Sequence, residues 1–216
     1  AAALEDLLKS VRSDLVVTAA SGGTVSAIQN LMIGWSQLGT DPATTLRTAF
    51  ITNNKNPPDQ RDLMDQGKLN QGITYDMAHG RLHPGFRGQL QAHGYEDIYL
   101  FEPGGNLIYS TKKQDEFATS FAAGGPYADS PLGTAFQAAL KLTEPGKVVF
   151  VDAAPYKAAG GAPASFMAAP VFNNKTLMGV VAFRMPTAAI GAILGSRQGL
   201  GETGEAFYVG ADHLFR

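Results

Sequence analysis

A change of hydrophobic period at Gly94 constrains this chain more than any other feature of its sequence. Before it, apolar residues recur at helical spacing. Leu4, Leu7, Leu8, Val11 and Leu15 form one stripe; Val25, Ile28, Leu31, Met32, Trp35 and Leu38 form a second after Ser21-Gly22-Gly23 interrupts the pattern. Gly39 ends that helix and Asp41-Pro42 suits the start of a third. Asn53 to Pro58 reads as a loop, followed by a short helix from Asp59 to about Lys68. Another helix runs from about Tyr75 toward Gln91, and Pro84 within it belongs in a first turn or at a kink.

Beyond Gly94 the residues become aromatic and β-branched. Tyr95 to Phe101 and Leu107 to Thr111 flank the turn signal Pro103-Gly104-Gly105-Asn106, so they read as a hairpin. Ser130 to Leu142 reads as a helix, with Ser130 as its cap and Pro131 at its first position. Strands are expected over Lys147–Asp152, Ser165–Phe172 and Leu177–Met185, the last two joined by a tight turn at Asn173–Thr176. A helix from Pro186 to about Arg197 and a final strand at Glu205–Gly210 complete the pattern. Helices followed by β-β-α-β-β-β lack βαβ alternation. The fold class is therefore α+β, with an antiparallel sheet rather than a doubly wound parallel one.

Composition narrows the function classes. Hydrophobic residues make up 44% of the 216 residues, enough for a real core, so disorder is excluded as the main state. Lys and Arg number 17 and Asp and Glu 19, giving 17 − 19 = −2, and no basic run exists to wrap nucleic acid. There is no cysteine, hence no disulfide, thiol nucleophile or thiolate metal site. No apolar stretch reaches the ~20 residues needed to cross a bilayer. Ala1 to Lys9 reads as a mature helix without a signal-peptide pattern, and the sequence stops at Leu214-Phe215-Arg216 within what reads as an element. A cytosolic protein and a soluble piece of a larger membrane protein both fit, and the far end favours the piece.

The recognisable motifs have plain explanations. Gly199-Leu200-Gly201-Glu202-Thr203-Gly204 matches GxGxxG, but a helix precedes it and a strand follows, the reverse of a dinucleotide site. His79 and His83 lie four apart, yet Gly80 stands where a metalloprotease has Glu, so packing or hydrogen bonding is expected rather than metal. No GxSxG elbow exists, and no enzyme activity or cofactor is expected. Asp152 and Tyr156 are more informative. Asp152 ends the strand Val148–Val151, and Tyr156 lies in the loop that follows, across from a strand of small residues, Ala164 to Ala169. A carboxylate and a phenol at the rim of a sheet with small side chains would orient a polar ligand, with aromatics closing the sides.

Several segments together carry a family resemblance: His83-Pro84-Gly85-Phe86-Arg87, Gly94-Tyr95-Glu96-Asp97-Ile98-Tyr99-Leu100-Phe101, Tyr109-Ser110-Thr111-Lys112-Lys113, Val151-Asp152-Ala153-Ala154-Pro155-Tyr156, Phe166-Met167-Ala168-Ala169-Pro170-Val171 and Gly199 to Glu205. Over about residues 47 to 216 the chain resembles the Cache-type, PAS-like extracytoplasmic sensor domains of bacterial chemoreceptors, histidine kinases and nucleotide cyclases. Lys113-Gln114-Asp115-Glu116-Phe117 departs from the Lys-Glu-x-Asp-Phe often found in such relatives, and the Arg-x-Trp-Tyr signature of the amino-acid-binding group is missing. Amino-acid sensing is thus not implied.

The resemblance implies N-terminal helices followed by a PAS-like sheet flanked by helices. Residues 1–93 would be a helical stalk and subdomain, 94–198 the sensor module, and 199–216 the linker and start of a membrane-proximal module. It implies a periplasmic ectodomain of a membrane-anchored receptor, most simply a methyl-accepting chemotaxis protein, that binds a small molecule and forms a homodimer when whole. The alternative is a module that recognises a periplasmic binding protein or only dimerises. The stripe from Leu4 to Leu15 would serve a parallel partner helix or pack against its own domain. The ligand is expected between the sheet and the Tyr109–Tyr127 segment, lidded by the loop after Asp152. Candidate contacts are Tyr99, Tyr109, Lys113, Phe117, Tyr127, Phe150, Asp152, Tyr156, Phe166 and Ala168. Strand alternation gives Phe150 and Asp152 one parity.

Overall fold

The structure, a computed structural model, describes residues 2–69, 73–195 and 209. Helices α1 (Ala2–Ala20) and α2 (Gly22–Ser36) meet at Ser21 with a bend of 61°. Ser21 has an extended backbone, and its Oγ accepts from the Gly23 amide at 3.1 Å, so it starts a new helix. Asp41 caps α3 (Pro42–Arg47) through the Thr44 amide, and α3 runs on into a π-helical turn over Thr48–Thr52. Helix α4 (Ile73–His93) carries Pro84 in its interior, well past the first turn. It lies against α2 so closely that a Cβ on Gly34 would collide with the Tyr75 backbone. Among the described residues no single helix is long and apolar enough to cross a membrane.

The helix expected from Asp59 to Lys68 is replaced by a 3-10 segment, Pro58–Leu63, broken at Gln60. The carbonyls that a longer helix would use are taken by side chains from elsewhere. Asn54 Nδ2 donates to Arg61 O, His83 Nε2 and Arg87 Nη1 to Asp62 O, and His79 Nδ1 to Asp65 O. Tertiary hydrogen bonds thus override local propensity.

Five strands follow: β1 (Asp97–Phe101), β2 (Leu107–Ser110), β3 (Val149–Pro155), β4 (Pro163–Asn173) and β5 (Thr176–Arg184). They form one antiparallel sheet in the order β2-β1-β5-β4-β3. Helix α5 (Pro131–Leu140) sits between β2 and β3 in sequence, with Ser130 Oγ capping the Gly133 amide at 3.0 Å; α6 (Thr187–Gly195) follows β5. The β4–β5 turn places Asn174 in the left-handed region, φ 55°. Pro170 lies within β4, but beyond Val149↔Ala168, the last β3 pair on that side. A proline without an N–H is tolerated where the strand has become an edge. The fold is α+β, an antiparallel sheet flanked by helices. The strand expected at Glu205–Gly210 and the glycine motif at 199–204 lie outside the described residues, apart from Val209.

Both faces of the sheet are covered. Ile98, Leu100, Met167, Ala169, Val171, Val181 and Phe183 face α1, α2 and α4 and share a core with Val11, Leu15, Ile28, Leu31 and Phe50. Leu7 and Leu8 pack half-buried against this core, so most of the N-terminal stripe is used within the chain itself. Tyr99, Phe101, Phe166, Ala168, Val180 and Ala182 face the other way, toward Leu132, Ala135 and Phe136 of α5.

Candidate functional site

The α5 face gathers a buried polar cluster within an aromatic core. Alternation along β1 places Asp97 in step with Tyr99 and Phe101, and alternation along β5 places Arg184 in step with Val180 and Ala182. Phe166 pairs with Arg184, and Ala168 with Ala182, on the adjoining β4. Tyr156 follows the end of β3, where its amide donates to Ala162 O and its carbonyl accepts from Gly161, closing a tight loop. Gly160 and Gly161 turn that loop with positive φ, 65° and 88°. Glu116 arrives from the segment after β2.

These side chains meet. The Tyr99 hydroxyl donates to Glu116 Oε1 at 3.1 Å. The Tyr156 ring stands edge-on to Phe166 at 5.1 Å and is 6.4 Å from the Tyr127 ring. The Arg184 guanidinium lies 5.9 Å from the Tyr156 ring centre and donates from Nη1 to Gln114 Oε1 at 3.2 Å. Three buried polar atoms in this group lie outside hydrogen-bonding geometry, Glu116 Oε2, the Tyr156 hydroxyl and Arg184 Nε, although the Tyr156 hydroxyl and the Glu116 carboxyl are close enough to interact with each other. Ala164, Ala168 and Ala182 keep the sheet floor shallow.

The electrostatics follow from burial. Burial, reinforced by the charge of Asp97, pushes the Glu116 carboxyl up to about 7. Asp97 is pushed up to about 6, again by burial first, although Ser110 Oγ and the Lys112 and Ile98 amides donate to it. Asp97 thereby holds the turn after β2. Tyr99 and Tyr156 are both raised by burial first and then by nearby carboxylates. The group offers a donor side, Arg184 and Tyr156, and an acceptor side, Glu116, within aromatic walls.

Of the ten sequence candidates, Tyr99, Tyr127, Tyr156, Phe166 and Ala168 are brought together here. Tyr109, Lys113 and Phe117 are not. Tyr109 pairs with Leu100, which faces the helices, so its hydroxyl reaches His83 Nδ1 at 2.7 Å instead. Phe117 packs edge-on to Phe50 in the same core, with ring centres 6.0 Å apart. Lys113 is fully buried between the Phe50 and Tyr109 rings, 5.4 Å from each, with Nζ donating to Ser110 O and Thr111 O. Burial pulls its ammonium down to about 7. Phe150 pairs with Met167, a residue of the helical-side core, and is 42% exposed.

Asp152 is half-buried at a bulge, where Val151 pairs with Phe166 but Ala154 with Ala164. The extra residue resets the alternation, so the parity shared by Phe150 and Asp152 does not carry across it. Sequence reasoning missed Asp97, Glu116 and Arg184. Arg184 had a legible signal, a charge in step with small and β-branched residues of an apolar strand. Glu116 had none, because it lies in irregular chain.

The histidine pair is structural in its contacts. His83 Nε2 donates to Asp62 O, so Nδ1 accepts from Tyr109, and burial holds the imidazole down at about 2. His79 is also lowered by burial, and its ring lies 4.5 Å from that of His83. Among the described residues no group of three or more His, Asp and Glu is placed to hold a metal ion.

No model of a protein family matches the sequence, and no curated protein sequence matches it. Solved structures with a similar arrangement include the sensor domain of the V. cholerae histidine kinase DctB, at 18% identity and TM-score 0.40, covering 78% of this chain and 58% of that one. The ligand-binding domain of the Pseudomonas fluorescens chemoreceptor CtaA, in complex with L-serine, gives 15% identity and TM-score 0.45, covering 85% and 66%. The sensory domain of the Campylobacter jejuni chemoreceptor Tlp3 gives 14% and 0.44, covering 98% and 73%. The chain thus spans 58% of the DctB domain and 66% of the CtaA domain. At such identities and scores the likeness carries no inference about ligand or mechanism.

Proposed function

We propose that this chain is the extracytoplasmic ligand-sensing domain of a bacterial transmembrane signalling receptor, in the first instance a methyl-accepting chemotaxis protein. It binds a small polar molecule between the α5 face of the sheet and the Tyr156–Ala162 loop. What supports this is a set of three buried polar atoms without good hydrogen-bonding geometry, Glu116 Oε2, the Tyr156 hydroxyl and Arg184 Nε, gathered within aromatic walls. Each buried polar group left unpaired costs about 1–3 kcal/mol. A ligand presenting a donor to Glu116 and an acceptor to Arg184 and Tyr156 recovers that cost. Tyr99, Tyr127, Phe166 and Ala168 shape its walls.

In this reading residues 94–198 sense, residues 1–93 carry the change away from the sheet, and 199–216 lead to the next module. The location is periplasmic, and no catalysis is involved. Pairing of two copies in the whole receptor uses the exposed residues of α1 before Val11, because Val11 and Leu15 are buried inside.

A thermal-shift screen of small polar metabolites tests the proposal. A true ligand at a hundred times its dissociation constant stabilises the chain by about 2.7 kcal/mol. That shift should be lost in Glu116→Gln and reduced in Tyr156→Phe. A hit that both variants bind as wild type does would place the ligand elsewhere. A chain that binds no metabolite but retains a periplasmic binding protein would support the interaction-module alternative.

A further inference from the structure

A groove lies on the helical side of the molecule, between the α1–α2 bend and α4, with a volume of about 670 Å³. That is within the range of roughly 300–1,000 Å³ typical of small-molecule sites. Its floor is built from buried residues: Thr18, Thr24, Ala27 and Phe86. Gln89 Nε2 donates to Thr18 Oγ1 at 2.8 Å and ties α4 to α1 across the floor. Small residues open the space, and at Gly85 a Cβ would meet no atom within 4 Å. Two large apolar side chains stand exposed at its walls, Val17 at 68% and Met77 at 57%.

Only one lining side chain is charged. Arg81 lies one turn from Met77 and Ala78 along α4, and no Asp or Glu lines the cavity. Among the described residues the Arg81 side chain has neither an ion pair nor a hydrogen bond. An unpaired guanidinium beside apolar walls suits an anion joined to a hydrocarbon chain. The guanidinium fork matches a carboxylate in geometry as well as charge.

We infer that this groove binds an amphipathic monocarboxylate of the aliphatic-acid class, its carboxylate on Arg81 and its chain along Val17, Met77, Ala78, Leu82 and Phe86. The site is separate from the polar group on the α5 face and does not depend on it.

The test uses the whole chain, with butanoate, hexanoate, octanoate and octanol as probes, followed by calorimetry and by amide shifts in NMR. Affinity should rise with chain length, by up to about fourfold for each methylene fully buried. Shifts should centre on Thr18, Ala27, Ala78, Leu82 and Gln89. Arg81→Gln should weaken octanoate about tenfold or more and leave octanol unchanged, as expected for loss of one charge-assisted contact. Gly85→Leu fills open space and replaces a helical glycine, so it should melt no lower than wild type while abolishing octanoate binding. Affinity independent of chain length overturns the inference. So do octanoate binding that survives Gly85→Leu, and shifts confined to β1, β4 and β5. A dimer in sedimentation that Gly85→Leu dissolves, with no octanoate binding, would assign the groove to a second copy and also overturn it.

Discussion

Replacing Glu116 with Gln should stabilise the ligand-free protein at alkaline pH and do little at pH 5. Glu116 is fully buried, and its carboxyl is pushed from 4.5 up to about 7. The native state therefore holds a proton that the unfolded chain releases near 4.5. Between those values the native state binds more protons, so stability falls as pH rises and levels off above about 7. A shift of this size is worth about 3 kcal/mol, at about 1.36 kcal/mol per pH unit. Gln keeps the shape and never ionises. Some of the gain is offset because its amide must find an acceptor where Oε2 has no partner now, so about 1–2 kcal/mol is expected at pH 8. For a chain of this length that is a rise in melting temperature of about 2–8 °C. Asp97 shifts in the same direction in both proteins, and its contribution largely cancels in the difference. Thermal unfolding at pH 5, 6, 7 and 8 gives the profile. A variant destabilised by the same margin at every pH would show that the buried carboxylate carries no ionisation cost, and the electrostatic account of the site would fail.

Other perturbations have equally definite outcomes. Tyr156→Phe removes a buried hydroxyl that lies beside Glu116 without hydrogen-bonding geometry, so the ligand-free melting temperature should be unchanged or slightly raised; a loss above about 1 kcal/mol would mean that hydroxyl and carboxyl are bonded. Lys113 is held down to about 7 by burial, so the unfolded state binds more protons between 7 and 10.5 and stability should rise with pH there. Lys113→Met should flatten that rise in denaturant titrations at pH 7, 8.5 and 10. Gly34→Ala drives a methyl into the Tyr75 backbone, forcing α2 and α4 apart, and should cost about 1–3 kcal/mol in urea unfolding.

The sequence by itself determined the kinds of element and their order. The period changes from about 3.6 to 2 at Gly94, Ser130-Pro131 starts α5, and Asn173–Thr176 closes the β4–β5 turn; each signal is local and needs no partner. Five of the ten candidate contacts share the α5 face, and for Tyr99, Phe166 and Ala168 strand alternation within single strands accounts for it. Tertiary structure decided the rest. The bulge between Val151 and Ala154 reset the parity that tied Asp152 to Phe150, and bulges leave little trace in composition. The helix expected at Asp59–Lys68 gave way because His79, His83, Arg87 and Asn54, most of them far along the chain, claim its carbonyls. Asp97, Glu116 and Arg184 form one polar group only after β1 pairs with β5 and the segment after β2 is tied to α5 by Gln137. Strand pairing between distant segments is a property of the assembled sheet, so no window of sequence contains it.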